Sequence, residues 1–102
     1  MPSEKSIQNA IVKKFRKLPS MMVEVRHGNA FSVVGRADIF GCWFGQHFEI
    51  ELKQPGEKPS KKQLYELEQW RKAGAVAGWA TTVKEALAII SEIKPLELFT
   101  QI

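Results

Sequence analysis

Asp38, Glu51 and Lys53 are the residues of this chain whose types and spacing suit catalysis. Asp38 lies in a short apolar run after Gly35, and Glu51-Leu52-Lys53 closes the next such run. The stretch 35–53, GRADIFGCWFGQHFEIELK, therefore organises the reading of the whole chain. Facing carboxylates repel unless a cation lies between them, so Asp38 beside Glu51 calls for a metal ion or for Lys53. A carboxylate pair completed by water is the ligand set that Mg²⁺ prefers. Lys53, two residues past Glu51 and roughly 7 Å along a strand, would stand beside such an ion rather than on it. Its ammonium would orient or help deprotonate a water and neutralise charge building on a phosphate. A metal there lowers the pKa of bound water and polarises a phosphoryl oxygen, which suits phosphodiester hydrolysis. By alternation alone, Glu49, Glu51 and Lys53 also describe the solvated face of a half-exposed strand, with Phe48, Ile50 and Leu52 inward. Two features favour a site: helices before and after imply that both sheet faces are partly covered, and Asp38 is within reach of antiparallel pairing. D…ExK by itself occurs by chance in many strands.

The elements that must position these residues follow from periodicity and punctuation. Ser3 reads as an N-cap, and Ile7, Ala10, Ile11, Phe15 and Leu18 recur at helical spacing. Leu18-Pro19-Ser20 ends that helix, because the residue before proline is pushed towards extended geometry. Glu4 and Gln8 share a side that borders the apolar stripe. Residues 21–26 (MMVEVR) read as a strand and 27–29 as a turn, with 31–34 a continuation of the sheet. A second strand is expected at 37–40, between Gly35 and Gly41, and a third at 47–53. Residues 54–59 (QPGEKP) form a turn-rich loop. Ser60 and Gln63 then make an S-x-x-Q capping box, with Leu64, Leu67, Trp70 and Arg71 on one side of the helix and Gly74 as its stop. Residues 75–81 (AVAGWAT) read as a buried strand. Thr82 and Glu85 make a further capping box, opening a helix that turns Val83, Ala86, Leu87, Ile90 and Ile93 inward and ends at Pro95. The expected class is α/β, a mixed central sheet flanked by helices in the order α-β-β-β-α-β-α.

Composition sets the outer bounds. With 102 residues, one domain over 1–102 is expected, its core about 3–93 and an apolar tail at 94–102. The 44% hydrophobic and 25% charged content is that of a globular chain, not a disordered one. A net charge of +4 permits a polyanion partner without demanding one. The single cysteine, Cys42, excludes an internal disulfide framework and fits a reducing compartment. The polar start MPSEKSIQ is unlike a signal peptide, and no run approaches the ~20 apolar residues of a membrane span.

The order Asp38…Glu51-Leu52-Lys53 after an N-terminal helix resembles the PD-(D/E)xK nuclease superfamily, and more narrowly the virus-type replication-repair nuclease (VRR-NUC) domain. The supporting residues are Glu4 and Gln8 in SEKSIQNAI, GRAD at 35–38, EIELK at 49–53 and GEKPSKKQ ending at Gln63. The resemblance runs from Ser3 to about Ile90. It departs at Ala37, where the family usually has proline; that proline shapes backbone and is not a ligand. The resemblance implies a restriction-endonuclease-like core and a nuclease dependent on Mg²⁺ or Mn²⁺. Asp38, Glu51 and the Leu52 backbone carbonyl would be its ligands, and Lys53 would assist the water. It gives Glu4 a supporting role, although an acid at a helix N-terminus is also favoured by the macrodipole. Gln8 is a site residue or a solvated helix residue, and Gln63 a site residue or simply a cap.

The expected substrate is DNA. Arg26, Arg36, Lys58, Lys61 and Lys62 mark a phosphate-binding rim, each alone also reading as an ordinary surface charge. Coordinated cutting of two strands needs two sites, which a twofold homodimer supplies. Small standalone domains similar to this one are associated with phages and with cleavage of branched DNA, as by Holliday junction resolvases. That implies a structure-selective endonuclease acting on branched or four-way DNA in the cytoplasm of a bacterial or phage-infected cell. The alternatives are an exonuclease or nuclease of unbranched DNA, and a non-catalytic DNA-binding module on the same fold. An intact Asp38, Glu51 and Lys53 argues against the last. Cys42 and His47 have no third group to make a nucleophile pair, and one cysteine with two scattered histidines makes no zinc site. Trp43 and Phe44, expected in a loop, suit packing better than base stacking.

Overall fold

The computed structural model describes residues 2–27 and 35–93. Its elements are α1 (Glu4–Phe15), β1 (Met21–Val25), β2 (Ile39–Trp43), β3 (Gln46–Leu52), α2 (Lys61–Lys72), β4 (Val76–Ala80) and α3 (Val83–Ile90). The strands form one sheet in the order β1-β2-β3-β4. The first two pairings are antiparallel and the last is parallel, because α2 carries the chain back between β3 and β4. The α-β-β-β-α-β-α order is the one expected. The expected strand continuation at 31–34 and the tail at 94–102 lie outside the described residues.

Alternation along β3 sorts the two faces. Phe48, Ile50 and Leu52 point to the side where α1 and α3 lie and meet Ile7, Ile11, Phe15, Ala86 and Ile90 in the main core. Phe15 stands edge-to-face on Phe48, with ring centroids 5.7 Å apart. Burying two such rings stabilises the fold by roughly 3–6 kcal/mol. On the opposite face α2 covers only a smaller cluster, Ala37, Leu67 and Ala77 with Trp70 against them. That face also receives Glu49 and Glu51, the buried charged residues among those described.

Several local expectations change. β2 begins at Ile39 rather than at residue 37 and runs through Gly41, which is paired with Val23 and Phe48 instead of ending the strand. A Cβ at Gly41 would stand 2.0 Å from the Met22 carbonyl oxygen and 2.8 Å from the Phe48 ring. Close approach of the neighbouring strand, not a turn, demands the glycine. Trp43 is the last paired residue of β2, not part of a loop; its ring N–H donates to the Pro19 carbonyl at 2.8 Å. Phe44 (φ 51°) and Gly45 (φ 84°) make the two-residue connection, both with positive φ as a type I′ hairpin requires. On α2 the line that faces the sheet is Gln63, Leu67 and Trp70, so Leu64 is left 45% exposed, contrary to expectation. At α3, Thr82 caps the Glu85 N–H at 3.1 Å, but Glu85 turns back to the N–H and hydroxyl of Thr81. The expected reciprocal box is therefore shifted by one residue.

Candidate active site

Asp38 precedes β2 by one residue. The last pairing of β2 with β3, Ile39 opposite Ile50, continued by one step sets Asp38 across from Glu51. Two bonds hold it: the Arg26 N–H donates to the Asp38 carbonyl at 2.8 Å, and the Leu52 N–H donates to Asp38 Oδ2 at 2.9 Å. The carboxylate is thus tied to the backbone of the strand that carries Glu51. Leu52 itself closes β3 with its side chain in the main core, which fixes the peptide on either side of it.

Glu51 is 3% exposed. Its Oε1 accepts from Gln63 Nε2 at 3.0 Å and lies 3.9 Å from Lys53 Nζ. Its Oε2 is buried and accepts no hydrogen bond. Burial pushes the Glu51 carboxyl up to about 9, and hydrogen bonding with and repulsion from Asp38 add to this. Lys53 opposes the shift, and Glu4 adds to it more weakly. Lys53 follows β3 and is pinned by its N–H to the Ala80 carbonyl at 3.0 Å, so its side chain leaves the sheet beside Glu51. Glu4 enters from the first turn of α1, whose N-cap is Ser3. One oxygen from each of Glu4, Asp38 and Glu51 lies within 4.8 Å of the others.

No family model matches this sequence, and no curated protein matches it. A solved structure described as a VRR_NUC domain superposes with a TM-score of 0.72 at 24% identity, covering 92% of this chain and 100% of that one. The chain has the VRR_NUC fold. On that fold the acids come from three separate elements, α1, the entry to β2 and the end of β3, and converge at one end of the sheet.

The donor set of this VRR_NUC fold fits a hard divalent cation. Three carboxylates within bridging distance of one another, one of them with a buried oxygen that accepts no hydrogen bond, are the oxygen ligands such an ion takes. Asp38 and Glu51 offer the central pair, the Leu52 carbonyl lies between Glu51 and Lys53 in the chain, and Glu4 stands at the rim. Gln8 is half-buried one helical turn beyond Glu4 and is not one of the three.

Gln63 does two things at once. Its Oε1 accepts from the Ser60 N–H at 2.8 Å, completing the capping box, and its Nε2 donates to Glu51. The cap and the site contact use opposite ends of one amide and do not compete. The basic residues divide. Lys58, Lys61 and Lys62 are exposed at or before the start of α2, and the Lys62 stem lies against Gly35. Arg36 is half-exposed with Nε 3.9 Å from Glu66 Oε1. Arg26 is placed differently, its guanidinium bound to Glu49 at 2.7 and 3.2 Å.

Glu49 is the residue that reading the sequence missed. It is fully buried, and His47 Nε2 lies 2.5 Å from its second oxygen. The available signal was its place on the same strand face as Glu51: a face covered by a helix forces each acid on it to find a partner.

Proposed function

We propose that this chain is a nuclease that hydrolyses phosphodiester bonds in DNA, using Mg²⁺ or Mn²⁺ held by Asp38, Glu51 and the Leu52 carbonyl with Glu4 in support. The observation that carries the reading is the three-carboxylate group with Glu51 Oε2 accepting no hydrogen bond, together with Lys53 Nζ 3.9 Å from the other Glu51 oxygen. A divalent ion bound there supplies Lewis acidity, lowering the pKa of a water and polarising a phosphoryl oxygen. The chain's own residues do the rest. Gln63 holds Glu51 through Oε1, and Oε2, which accepts no hydrogen bond, would be available as a ligand. The Leu52 N–H keeps Asp38 aimed across the strand gap. Lys53 brings an ammonium to within 3.9 Å of Glu51 Oε1, where it would orient a water and offset charge building on a phosphate. Lys58, Lys61, Lys62 and Arg36 provide cations around the same end of the sheet for the flanking phosphates.

In its finer form the proposal is a structure-selective endonuclease of branched or four-way DNA, acting as a twofold homodimer in the cytoplasm of a bacterial or phage-infected cell. Two copies related by a twofold axis would give two strands one site each. Among the described residues no helix is long and apolar enough to cross a membrane.

The test is incubation with linear duplex, single-stranded and four-way DNA in Mg²⁺, Mn²⁺ or chelator. Cutting in metal and none in chelator is expected, with Asp38→Ala and Lys53→Ala inactive and junction binding surviving the lysine change. Equal rates on junction and linear DNA would remove the branched preference. Binding without cutting in any metal would replace the nuclease with a DNA-binding module. A scattering mass decides the dimer.

A further inference from the structure

The Arg26–Glu49 pair lies next to the carboxylate group, yet no role assigned so far uses it. We propose that Arg26 and Glu49 are positioning residues: a part-buried clamp that sets the Ala37–Asp38 peptide against β3 and so holds Asp38 opposite Glu51. Its activity readout rests on the nuclease reading above; its structural readout does not.

Arg26 follows β1 and touches both strands that carry the acids. Its Nη1 donates to Glu49 Oε1 at 2.7 Å and to the Ala37 carbonyl at 3.0 Å, and its Nη2 donates to Glu49 Oε2 at 3.2 Å. Its own N–H donates to the Asp38 carbonyl at 2.8 Å. The guanidinium carbon lies 4.4 Å above the centre of the Phe40 ring, which fixes the plane of the fork. One residue therefore holds the carbonyls on both sides of the Asp38 nitrogen and Cα.

The location gives the clamp its purpose. Regular pairing between β2 and β3 stops at Ile39 opposite Ile50, one step short of Asp38 and Glu51. Beyond that point the Leu52 N–H on Asp38 Oδ2 joins the two strands, and the clamp ties Glu49, which is opposite Phe40 inside the ladder, to the Ala37 carbonyl outside it. With the ladder ended, the backbone at that step has no regular pairing to resist separation of the strand ends. A charge-assisted fork between Glu49 on one strand and the Ala37 carbonyl on the other opposes the separation. Glu49 is anchored in turn by His47, whose ring stacks on Trp70 of α2 at 4.7 Å. Lysine cannot replace the arginine, because a single ammonium does not span both carboxylate oxygens and a carbonyl in one plane.

The experiment compares wild type, Arg26→Lys and the double variant Arg26→Met with Glu49→Leu. The double change removes both charges of the pair together, so neither is left facing an empty partner; the Ala37 carbonyl and the partly exposed His47 ring each lose one contact, and a thermal melt checks that the fold is kept. Three readouts are taken: amide hydrogen exchange, Mn²⁺ affinity by calorimetry, and steady-state cleavage of DNA at several salt concentrations. In both variants the Leu52 amide, which reports the Asp38 contact, should lose at least tenfold in protection while Phe48 and Ile50 change less than twofold. The Mn²⁺ dissociation constant should rise by roughly 10–100-fold, as for loss of a ligand's supporting bonds. The turnover number should fall at least tenfold, with KM and its salt dependence unchanged.

Wild-type values of all three in both variants would overturn the clamp. So would a protection loss shared equally by Phe48, Ile50 and Leu52, which is general destabilisation. A raised KM with a salt slope smaller by about one and an unchanged turnover number would make Arg26 a phosphate contact instead. If wild type neither binds Mn²⁺ nor cuts DNA, the nuclease reading fails alone, and the Leu52 amide still decides the clamp.

Discussion

Without metal, the protein should lose stability as the pH rises from about 5 to 8.5, and Glu51 should be the cause. Burial and the Asp38 carboxylate push Glu51 from its ordinary 4.5 up to about 9 in the folded chain. Between those values the folded state holds a proton that the unfolded chain has released. Fewer protons bound on unfolding means that ΔG of unfolding falls with pH. The stabilisation is whole below about 4.5 and is lost progressively as the pH climbs towards 9. The limiting slope for one group is ~1.4 kcal/mol per pH unit. For a chain of this size that corresponds to a Tm drop of roughly 6–11 °C per unit where the slope is fully developed; a smaller shift narrows the pH window without lowering the slope. The assay is thermal unfolding in chelator at half-unit pH steps, for wild type and Glu51→Gln. Glutamine removes the titration and should flatten the curve. Metal reverses the sign: a cation takes the deprotonated acid, so its binding releases a proton and tightens with pH. At a concentration one hundred times the dissociation constant, Mn²⁺ should stabilise by about 2.7 kcal/mol. A wild-type curve in chelator that is flat, or that slopes equally in Glu51→Gln, would refute the reasoning. So would metal stabilisation that shrinks as the pH rises.

Other perturbations follow from single contacts. Gln63→Ala removes both the cap on the Ser60 N–H and the donor to Glu51, and should lower stability by ~1–2 kcal/mol in urea melts while weakening Mn²⁺ binding by calorimetry. Ser60→Ala removes the acceptor of the Gln63 backbone N–H and should lower stability by about 1 kcal/mol with a smaller effect on metal affinity, since the Gln63 side-chain amide keeps both the Ser60 N–H and Glu51. Gly35→Ala places a Cβ 2.7 Å from Lys62 Cγ at a φ of +89°, and should destabilise by ~1–3 kcal/mol. Phe48→Ala opens the main core where Phe15 rests, and urea melts should show a loss of ~3–5 kcal/mol.

What the sequence displayed and what it concealed differ by range. β3 is legible because apolar and charged residues alternate without interruption between its two faces, and α2 is legible from Ser60 and Gln63, three residues apart. These are local patterns with local causes. The expected β2 stops three residues short, at 40 instead of Trp43, because Gly41 looks like punctuation; its cause is the Met22 carbonyl, a neighbour across the sheet. The inward side of α2 was drawn too wide at Leu64, because the helix covers only part of a face already shared with acids. Spacing gave reason to set Asp38 beside Glu51, but not to foresee that Gln63 would cap a helix and touch Glu51 together. Arg26 and Glu49 lie 23 residues apart, and nothing in either neighbourhood marks them as partners. Each had a plausible reading alone, the arginine as a surface cation and the glutamate as a wet strand residue.

The shared amide of Gln63 has a consequence for how this protein fails. A helix end ordinarily frays in isolation, opening and closing many times without touching the rest of the molecule. Here the first turn of α2 cannot loosen without dropping its grip on the acid at the strand end, since one side chain serves both. Mild heat, low denaturant or a strained linker before Ser60 would disarm the site long before the sheet melts. Loss of function and loss of structure would then be separate events on a temperature ramp, in that order.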